Sequence, residues 1–174
     1  SLEETWITSS KIKKEKTFVF LSDLHDNSFG PENEKLLDAI AGIKPDAVFI
    51  GGDLMVTKGI GDTRVSLSLL RRLAARYPVF YGNGNHESRT KWEREIYGRK
   101  YEAYRNQLKE WGVRYLENDT VFWDEDVAVS GLDLAQRFYQ KAFFRKPEPM
   151  DVRYITKRLG EADEKRFQVM LAHS

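Results

Sequence analysis

Short apolar runs alternate along the chain with segments whose hydrophobic residues recur at helical spacing. Residues 17–21, 47–50 and 79–81 are rich in β-branched and aromatic side chains and show no polar alternation, which predicts strands buried on both faces. Between these strands, apolar residues three and four positions apart predict helices over 33–43 and 64–76. This succession of strands and helices indicates an α/β fold.

The second half of the chain is more polar. A long helix is predicted over 91–111, with Gly112 as its stop. Short strands are predicted at 113–116, 120–123 and 127–131, and the Asn- and Asp-rich segments between them are typical of turns that join antiparallel strands. A helix over 152–159 then leads to a final apolar run that ends near His173.

Polar residues directly follow four of the apolar runs. They are Asp23 with His25, Asp53, Asn85 with His86, and His173. The chain has three histidines, and all three lie at these strand ends. Because open α/β sheets bind ligands at the carboxyl ends of their strands, we predict that these side chains form one site.

The residue types of this set predict a metal centre. Their donors are nitrogen and oxygen, and the chain has no cysteine, which favours Zn, Mn or Fe over Cu(I). In an extended segment Asp23 and His25 share a face and can turn toward one ion. Asp53 comes from a neighbouring strand and has two oxygens with which to bridge two ions. Two ions about 3.5 to 4 Å apart can activate a water and clamp both oxygens of a displacement at phosphorus, which predicts a phosphoesterase.

Composition narrows the class of protein further. A chain of 174 residues with 41% hydrophobic content is expected to form a single domain with its own core. The formal net charge of +1 creates no large field, so no nucleic-acid partner is indicated. No apolar stretch approaches the roughly 18 to 20 residues that span a bilayer, and the first ten residues lack the layout of a signal peptide.

The motifs "DLH", "GGDL" and "GNHE", followed by an apolar run that ends in histidine, together resemble the calcineurin-like metallophosphoesterase family. The resemblance extends over essentially the whole chain. It implies a four-layer α-β-β-α sandwich with two mixed β-sheets. It also implies a phosphoric ester hydrolase that uses a dinuclear metal-bound hydroxide, and we expect a phosphodiester as the substrate by analogy with the family.

The resemblance assigns roles residue by residue. It implies that Asp23 and His25 hold one divalent ion, that Asp53 bridges, and that Asn85 and His173 hold the second. His86 then matches the family histidine that binds no metal and faces the phosphate, where it stabilises the transition state or protonates the leaving oxygen. Asn85 and His86 are the expected catalytic residues. Glu87 has two interpretations, an orienting residue behind the site or a carboxylate that opens a helix.

One family motif is absent. In the family, a final G-H-x-H motif would supply one more histidine to each ion. The given sequence stops one residue after His173. We therefore expect a fragment of a longer protein, with weakened metal binding, and we do not assume that the isolated fragment is active. The "LSDLH" opening is similar to bacterial phosphodiesterases, some of them membrane-anchored, so a membrane segment upstream of Ser1 is one hypothesis. Two cellular locations therefore stay open as hypotheses, the cytoplasm and a membrane reached through a segment absent from this chain.

A basic and aromatic segment over 137–146 has two interpretations. One is an amphipathic helix whose phenylalanines, Phe138 among them, pack inward. The other is a cap over the site, in which Arg137, Lys141 and Arg145 contact the phosphate of the substrate or a lipid surface.

Two other functions compete with a phosphoesterase. A non-catalytic scaffold or binding module on the same fold predicts broken ligand positions, whereas every motif up to His173 is intact. A nucleotide-binding domain that uses "GNGN" as a phosphate loop predicts a glycine-rich turn after the first strand, where this chain has Ser-Asp-Leu-His.

Overall fold

The computed structural model describes residues 2–57, 62–139 and 150–173. Its strands are β1 (Phe18–Leu21), β2 (Ala47–Ile50), β3 (Val79–Gly82), β4 (Arg114–Leu116), β5 (Asp119–Phe122), β6 (Val127–Leu132) and β7 (Phe167–Ala172). Its helices are α1 (Glu34–Ile43), α2 (Arg64–Ala74), α3 (Asn85–Trp92), α4 (Arg94–Tyr97), α5 (Lys100–Glu110) and α6 (Val152–Leu159). Short 3-10 turns occupy Pro31–Asn33 and Gln136–Phe138. The predicted α/β fold is confirmed.

The first sheet has the order β1-β2-β3-β4, and all of its described pairs are parallel. Val19 pairs with Val48, and Phe49 pairs with Phe80. Parallel strands need long crossover connections, which α1, α2 and the helices between β3 and β4 provide. The carboxyl ends of β1, β2 and β3 therefore meet at one edge of the sheet.

The second sheet has the order β5-β6-β7 and is mixed. β5 and β6 pair antiparallel, as predicted, and β6 and β7 pair parallel. Two predictions need correction here. The described strand pairs of the first sheet are all parallel, so among the described strands only the second sheet is mixed, and β4 joins β3 in parallel instead of pairing antiparallel with β5. The reason is that α5 returns the chain to the edge of the first sheet at which its strands begin, beside β3. Asn118, whose backbone is left-handed, then turns the chain toward the second sheet.

Alternating side chains of the first sheet divide the core in two. Val48, Ile50 and Tyr81 pack in a cluster with residues of α1, α2 and α5. Phe49 and Phe80 lie on the opposite face, in a cluster with residues of β6 and β7. Helix α6 packs against β5 and β6. The order of layers is helices, first sheet, second sheet and helix, which agrees with the predicted sandwich.

The single helix predicted over 91–111 is wrong. The structure has three helices there, α3, α4 and α5, and α3 already begins at Asn85. The breaks fall at Glu93, which leaves the helical region with ψ 55°, and at Gly98, which has φ 57°. Within the described residues, no helix combines the length and apolar character that crossing a membrane requires.

Candidate metal centre

The loops that follow β1 and β2 are held together by backbone hydrogen bonds beyond the ends of the strands. The N–H of Asp23 donates to the carbonyl of Gly52 at 3.1 Å, and the N–H of His25 donates to the carbonyl of Asp53 at 3.0 Å. The N–H of Asp26 donates to the carbonyl of Leu54 at 2.7 Å. Three of the predicted site residues are therefore brought side by side by the same pairing that builds the sheet.

Both loops contain non-glycine residues in the left-handed region. Asp23, His25 and Asp26 have φ values of 57°, 51° and 54°, and Asp53 has 54°. Asp, Asn and His tolerate this conformation better than most residues, because their short polar side chains can hydrogen-bond locally. Such strained positions concentrate at functional sites.

Asp53 lies at the centre of the site and is 2% exposed. Its Oδ1 accepts the N–H of His86 at 2.9 Å, and its Oδ2 lies 3.3 Å from His173 Nε2. The amide of Asn85, oriented to satisfy both of its ends, donates to the same Oδ2 at 2.9 Å. Burial by itself would raise the pKa of Asp53, but the hydrogen bonds from His173 and His86 lower it below its ordinary value. The carboxylate is therefore ionised at neutral pH.

His173 reaches the site from the end of β7, in the second sheet. Its Nδ1 lies 2.9 Å from the carbonyl of Gly51, which can only accept, so Nδ1 carries a proton and Nε2 faces the carboxylates. Nε2 is 3.8 Å from Asp23 Oδ1 as well as 3.3 Å from Asp53. The hydrogen bond to Asp53 outweighs burial and raises the pKa of His173 to about 9. A histidine whose second nitrogen donates to a carbonyl is the usual arrangement of a metal ligand.

Among the histidines and carboxylates of the described residues, two groups bring donor atoms within 4.8 Å of one another. One group is His25, Asp53 and His86, and the other is Asp23, Asp53 and His173. Both contain only nitrogen and oxygen donors and both share Asp53, so the donor set fits divalent ions such as Zn, Mn or Fe. The predicted pairs were Asp23 with His25 and Asn85 with His173, and His25 Nε2 lies 3.5 Å from Asp23 Oδ1.

His86 opens α3 and is 8% exposed. Its ring lies edge-on to that of His25, with the centroids 5.1 Å apart. Its Nδ1 is 3.0 Å from the backbone nitrogen of Thr57 and 2.7 Å from the Thr57 hydroxyl. Thr57 follows the β2 loop, and nothing in the sequence pattern pointed to it.

Glu87 supports the backbone of the site from behind. Its Oε2 accepts the N–H of Asp53 at 3.0 Å and the N–H of Gly84 at 2.9 Å, and its Oε1 accepts the hydroxyl of Tyr81 at 2.6 Å. Glu87 is fully buried, and burial raises the pKa of its carboxyl although the hydrogen bond from Tyr81 opposes this. Both predicted roles apply, because Glu87 orients the Asp53 loop and also stands in the first turn of α3.

A second polar cluster, missed by sequence reasoning, lies beside the carboxyl ends of β3 and β4. Lys91 Nζ is 2.7 Å from Asp133 and 3.3 Å from Glu117, whose other contacts include the hydroxyl of Tyr101. Asn83 donates to Asp133 at 3.1 Å and thereby joins this cluster to the loop that precedes Asn85. Burial alone would raise the pKa of Glu117, but Tyr101 and Lys91 lower it. These partners are distant in sequence, so no local pattern indicates them.

The predicted substrate-binding residues are only partly placed. Arg137 lies in the turn Gln136–Phe138, and its guanidinium stands 5.0 Å from the ring of Phe138 and 5.5 Å from that of Tyr154. Phe138 packs against Tyr154, with the ring centroids 4.8 Å apart. Lys141 and Arg145 lie outside the described residues.

A comparison of the chain with known protein families gives one match. The calcineurin-like phosphoesterase family matches residues 16–172, which include every predicted ligand from Asp23 onward except the last, His173. The chain belongs to the calcineurin-like phosphoesterase family. A search of curated proteins found no match. As a calcineurin-like phosphoesterase, the chain falls among the metal-dependent hydrolases of phosphate esters, and its clusters of candidate ligands agree with that class.

Proposed function

We propose that this calcineurin-like phosphoesterase hydrolyses phosphodiesters at a centre for two divalent ions that share Asp53. The observation that carries the proposal is the position of Asp53, which is buried and belongs to both groups of donor atoms. Two divalent ions, when bound, would supply Lewis acidity that activates water and neutralises charge on the phosphate. The preference for a diester rests on the resemblance of the "LSDLH" opening to bacterial phosphodiesterases.

The residues of the chain have separate tasks in this proposal. Asp23 and His25 would hold one ion, Asn85 and His173 would hold the other, and Asp53 would be shared. The lowered pKa of Asp53 keeps its two oxygens available as ligands. Ring orientation at His173 is fixed by Gly51, which leaves Nε2 directed at the carboxylates. Asp23, His25 and Asp53 follow strands of the parallel sheet, Asn85 opens α3, and His173 follows β7, so regular elements of both sheets would hold the ions in a rigid frame.

His86 lies beside this donor set and provides a polar group for the phosphate. A positioned hydrogen-bond donor stabilises the charge that develops on phosphate oxygens in the transition state. Replacing His86 by alanine should therefore lower turnover by at least about a hundredfold while bound metal persists. Loss of metal together with activity would make His86 a ligand instead.

The proposal is tested by Asp53→Asn in the full-length protein. The substrate is bis(p-nitrophenyl) phosphate with added manganese, and metal content is measured on the same samples by plasma mass spectrometry. Loss of partners behind a metal lowers activity about 10- to 100-fold, and loss of a shared ligand should exceed this. Asp38→Asn, on the exposed face of α1, is the matched control. Wild-type turnover in Asp53→Asn would refute the shared role, and metal-free, inactive wild-type protein would favour a scaffold.

A further inference from the structure

Thr57 contacts His86 through two of its atoms. The backbone nitrogen lies 3.0 Å from His86 Nδ1, and the side-chain hydroxyl lies 2.7 Å from the same nitrogen. Thr57 is 3% exposed and His86 is 8% exposed, so both contacts are shielded from water. Hydrogen bonds in such surroundings are costly to leave unmade.

The backbone contact determines the direction of these hydrogen bonds. A backbone N–H can only donate, so His86 Nδ1 must offer its lone pair and cannot carry a proton while the bond exists. The Thr57 hydroxyl then also donates to Nδ1. A neutral imidazole carries one proton, and with Nδ1 as the acceptor this proton resides on Nε2.

Two further contacts hold Thr57 in this orientation. The hydroxyl of Tyr97 donates to the Thr57 carbonyl at 2.9 Å. Arg89 Nη1 lies 3.4 Å from the Thr57 hydroxyl oxygen. Because a guanidinium has no acceptor atom, Arg89 is the donor in this contact. With its oxygen accepting from Arg89, the hydroxyl is free to direct its own hydrogen at His86. The Arg89 contact thus favours donation by the hydroxyl, and the Tyr97 contact holds the Thr57 carbonyl in place.

His173 shows the opposite arrangement within the same site. There Nδ1 faces the carbonyl of Gly51, which can only accept, so Nδ1 is protonated and Nε2, directed at the carboxylates, is the nitrogen that an ion would take in place of its proton. At His86, an N–H replaces that carbonyl. The backbone around the two histidines therefore prepares Nε2 of His173 as a ligand and Nε2 of His86 as a hydrogen-bond donor.

We propose that Thr57 is a positioning residue that fixes His86 as the Nε2–H tautomer, which makes His86 a hydrogen-bond donor and not a metal ligand. The donor role toward a phosphate oxygen rests on the function proposed above. The tautomer itself does not, since it follows from contacts within the chain. Sequence motifs place a histidine at this position but carry no information on which nitrogen holds its proton.

The tautomer is measured first, by long-range ¹H–¹⁵N correlation spectra of the full-length protein labelled with ¹⁵N-histidine. The signals of His86 are identified by their loss in His86→Gln. We expect a proton on Nε2 in metal-free protein. On titration with zinc, which is diamagnetic, the nitrogens of His173 should show coordination shifts and those of His86 should not. A proton on Nδ1, or a coordination shift at His86, would overturn the proposal.

Variants of Thr57 then test its role. Thr57→Val removes the hydroxyl but keeps the N–H, so it should retain the Nε2–H tautomer and metal content while kcat falls about three- to tenfold, the scale of one hydrogen bond, with little change in KM. Thr57→Ser should restore kcat. Thr90→Val is the matched control, because Thr90 is also buried and its hydroxyl donates to the Glu87 carbonyl within the same helix.

The outcomes separate this inference from the function on which part of it rests. Unchanged kcat in Thr57→Val, or an equal loss in Thr57→Ser, would refute the positioning role. A wild-type protein that binds zinc and shows the Nε2–H tautomer but hydrolyses no phosphate ester would refute the proposed function alone.

Discussion

Glu87 offers the sharpest test of how the site is supported. Its carboxylate accepts three hydrogen bonds from buried groups, the N–H of Asp53, the N–H of Gly84 and the hydroxyl of Tyr81. In Glu87→Ala both N–H groups lose this acceptor, and the Tyr81 hydroxyl must turn to Tyr104 at 3.3 Å. Each buried unsatisfied group costs about 1 to 3 kcal/mol, and water entering the space left by the side chain offsets part of this, so we expect a loss of about 3 to 6 kcal/mol. That approaches the whole stability of an average domain, about 5 to 15 kcal/mol.

Glu87→Gln is the matched control. The amide oxygen can accept both N–H groups, and its NH₂ can donate to Tyr81, whose hydroxyl can turn to Tyr104 at 3.3 Å. Because the amide keeps the shape of the side chain and its hydrogen bonds to both N–H groups, we expect a loss of about 1 kcal/mol or less. Urea unfolding followed by circular dichroism measures both variants. Equal losses in the two variants would show that the three hydrogen bonds do not stabilise the site.

Two further predictions concern close backbone approach and pH. In Gly84→Ala the new Cβ would lie 2.2 Å from Asp53 Oδ1, so the variant should lose stability and bound metal, whereas Gly42→Ala, with no atom within 4 Å, should gain about 0.5 to 1 kcal/mol in unfolding experiments. The folded-state pKa of Glu117 is lowered from 4.5, so its contribution to stability is present above that value and is lost as pH falls through the folded pKa. The difference in unfolding free energy between wild type and Glu117→Gln should therefore shrink on acidification below about pH 4.5, and a constant difference would contradict the ion pair with Lys91.

The parts of the fold that depend on local pattern could be predicted from the sequence. Continuous apolar runs located β1, β2 and β3, and helical spacing located α1, α2 and α6, because burial on both faces or on one stripe leaves a direct trace in residue order. Pairing between distant segments leaves no such trace. β4 joined the first sheet in parallel because of where α5 delivers the chain, although its flanking turn residues suggested a hairpin.

The residues of the candidate site also fall into those that local sequence pattern indicates and those that depend on contacts between distant segments. The proximity of Asp23, His25 and Asp53 could be predicted, because each residue comes shortly after a strand of the same sheet. Thr57 could not, because it lies 29 residues from His86 and one of its two contacts is made by a backbone N–H, which every residue except proline possesses. Glu87 was recognised only as one of two interpretations, since its three donors belong to segments that meet only after folding.

At the left-handed positions of the site, one residue has to satisfy an unusual backbone conformation and also provide a candidate metal ligand. Asp23, His25 and Asp53 each cost roughly 1 kcal/mol or more in that conformation. The cross-loop hydrogen bonds from the N–H groups of Asp23 and His25 return about 0.5 to 1.5 kcal/mol each, so they offset much of the strain while fixing where the side chains point. Glycine at these positions would remove the strain, but it would also remove the side chain of the candidate ligand and make the loop more flexible. Aspartate and histidine are the residue types that tolerate the conformation and bind metal, so at these positions one residue meets both requirements.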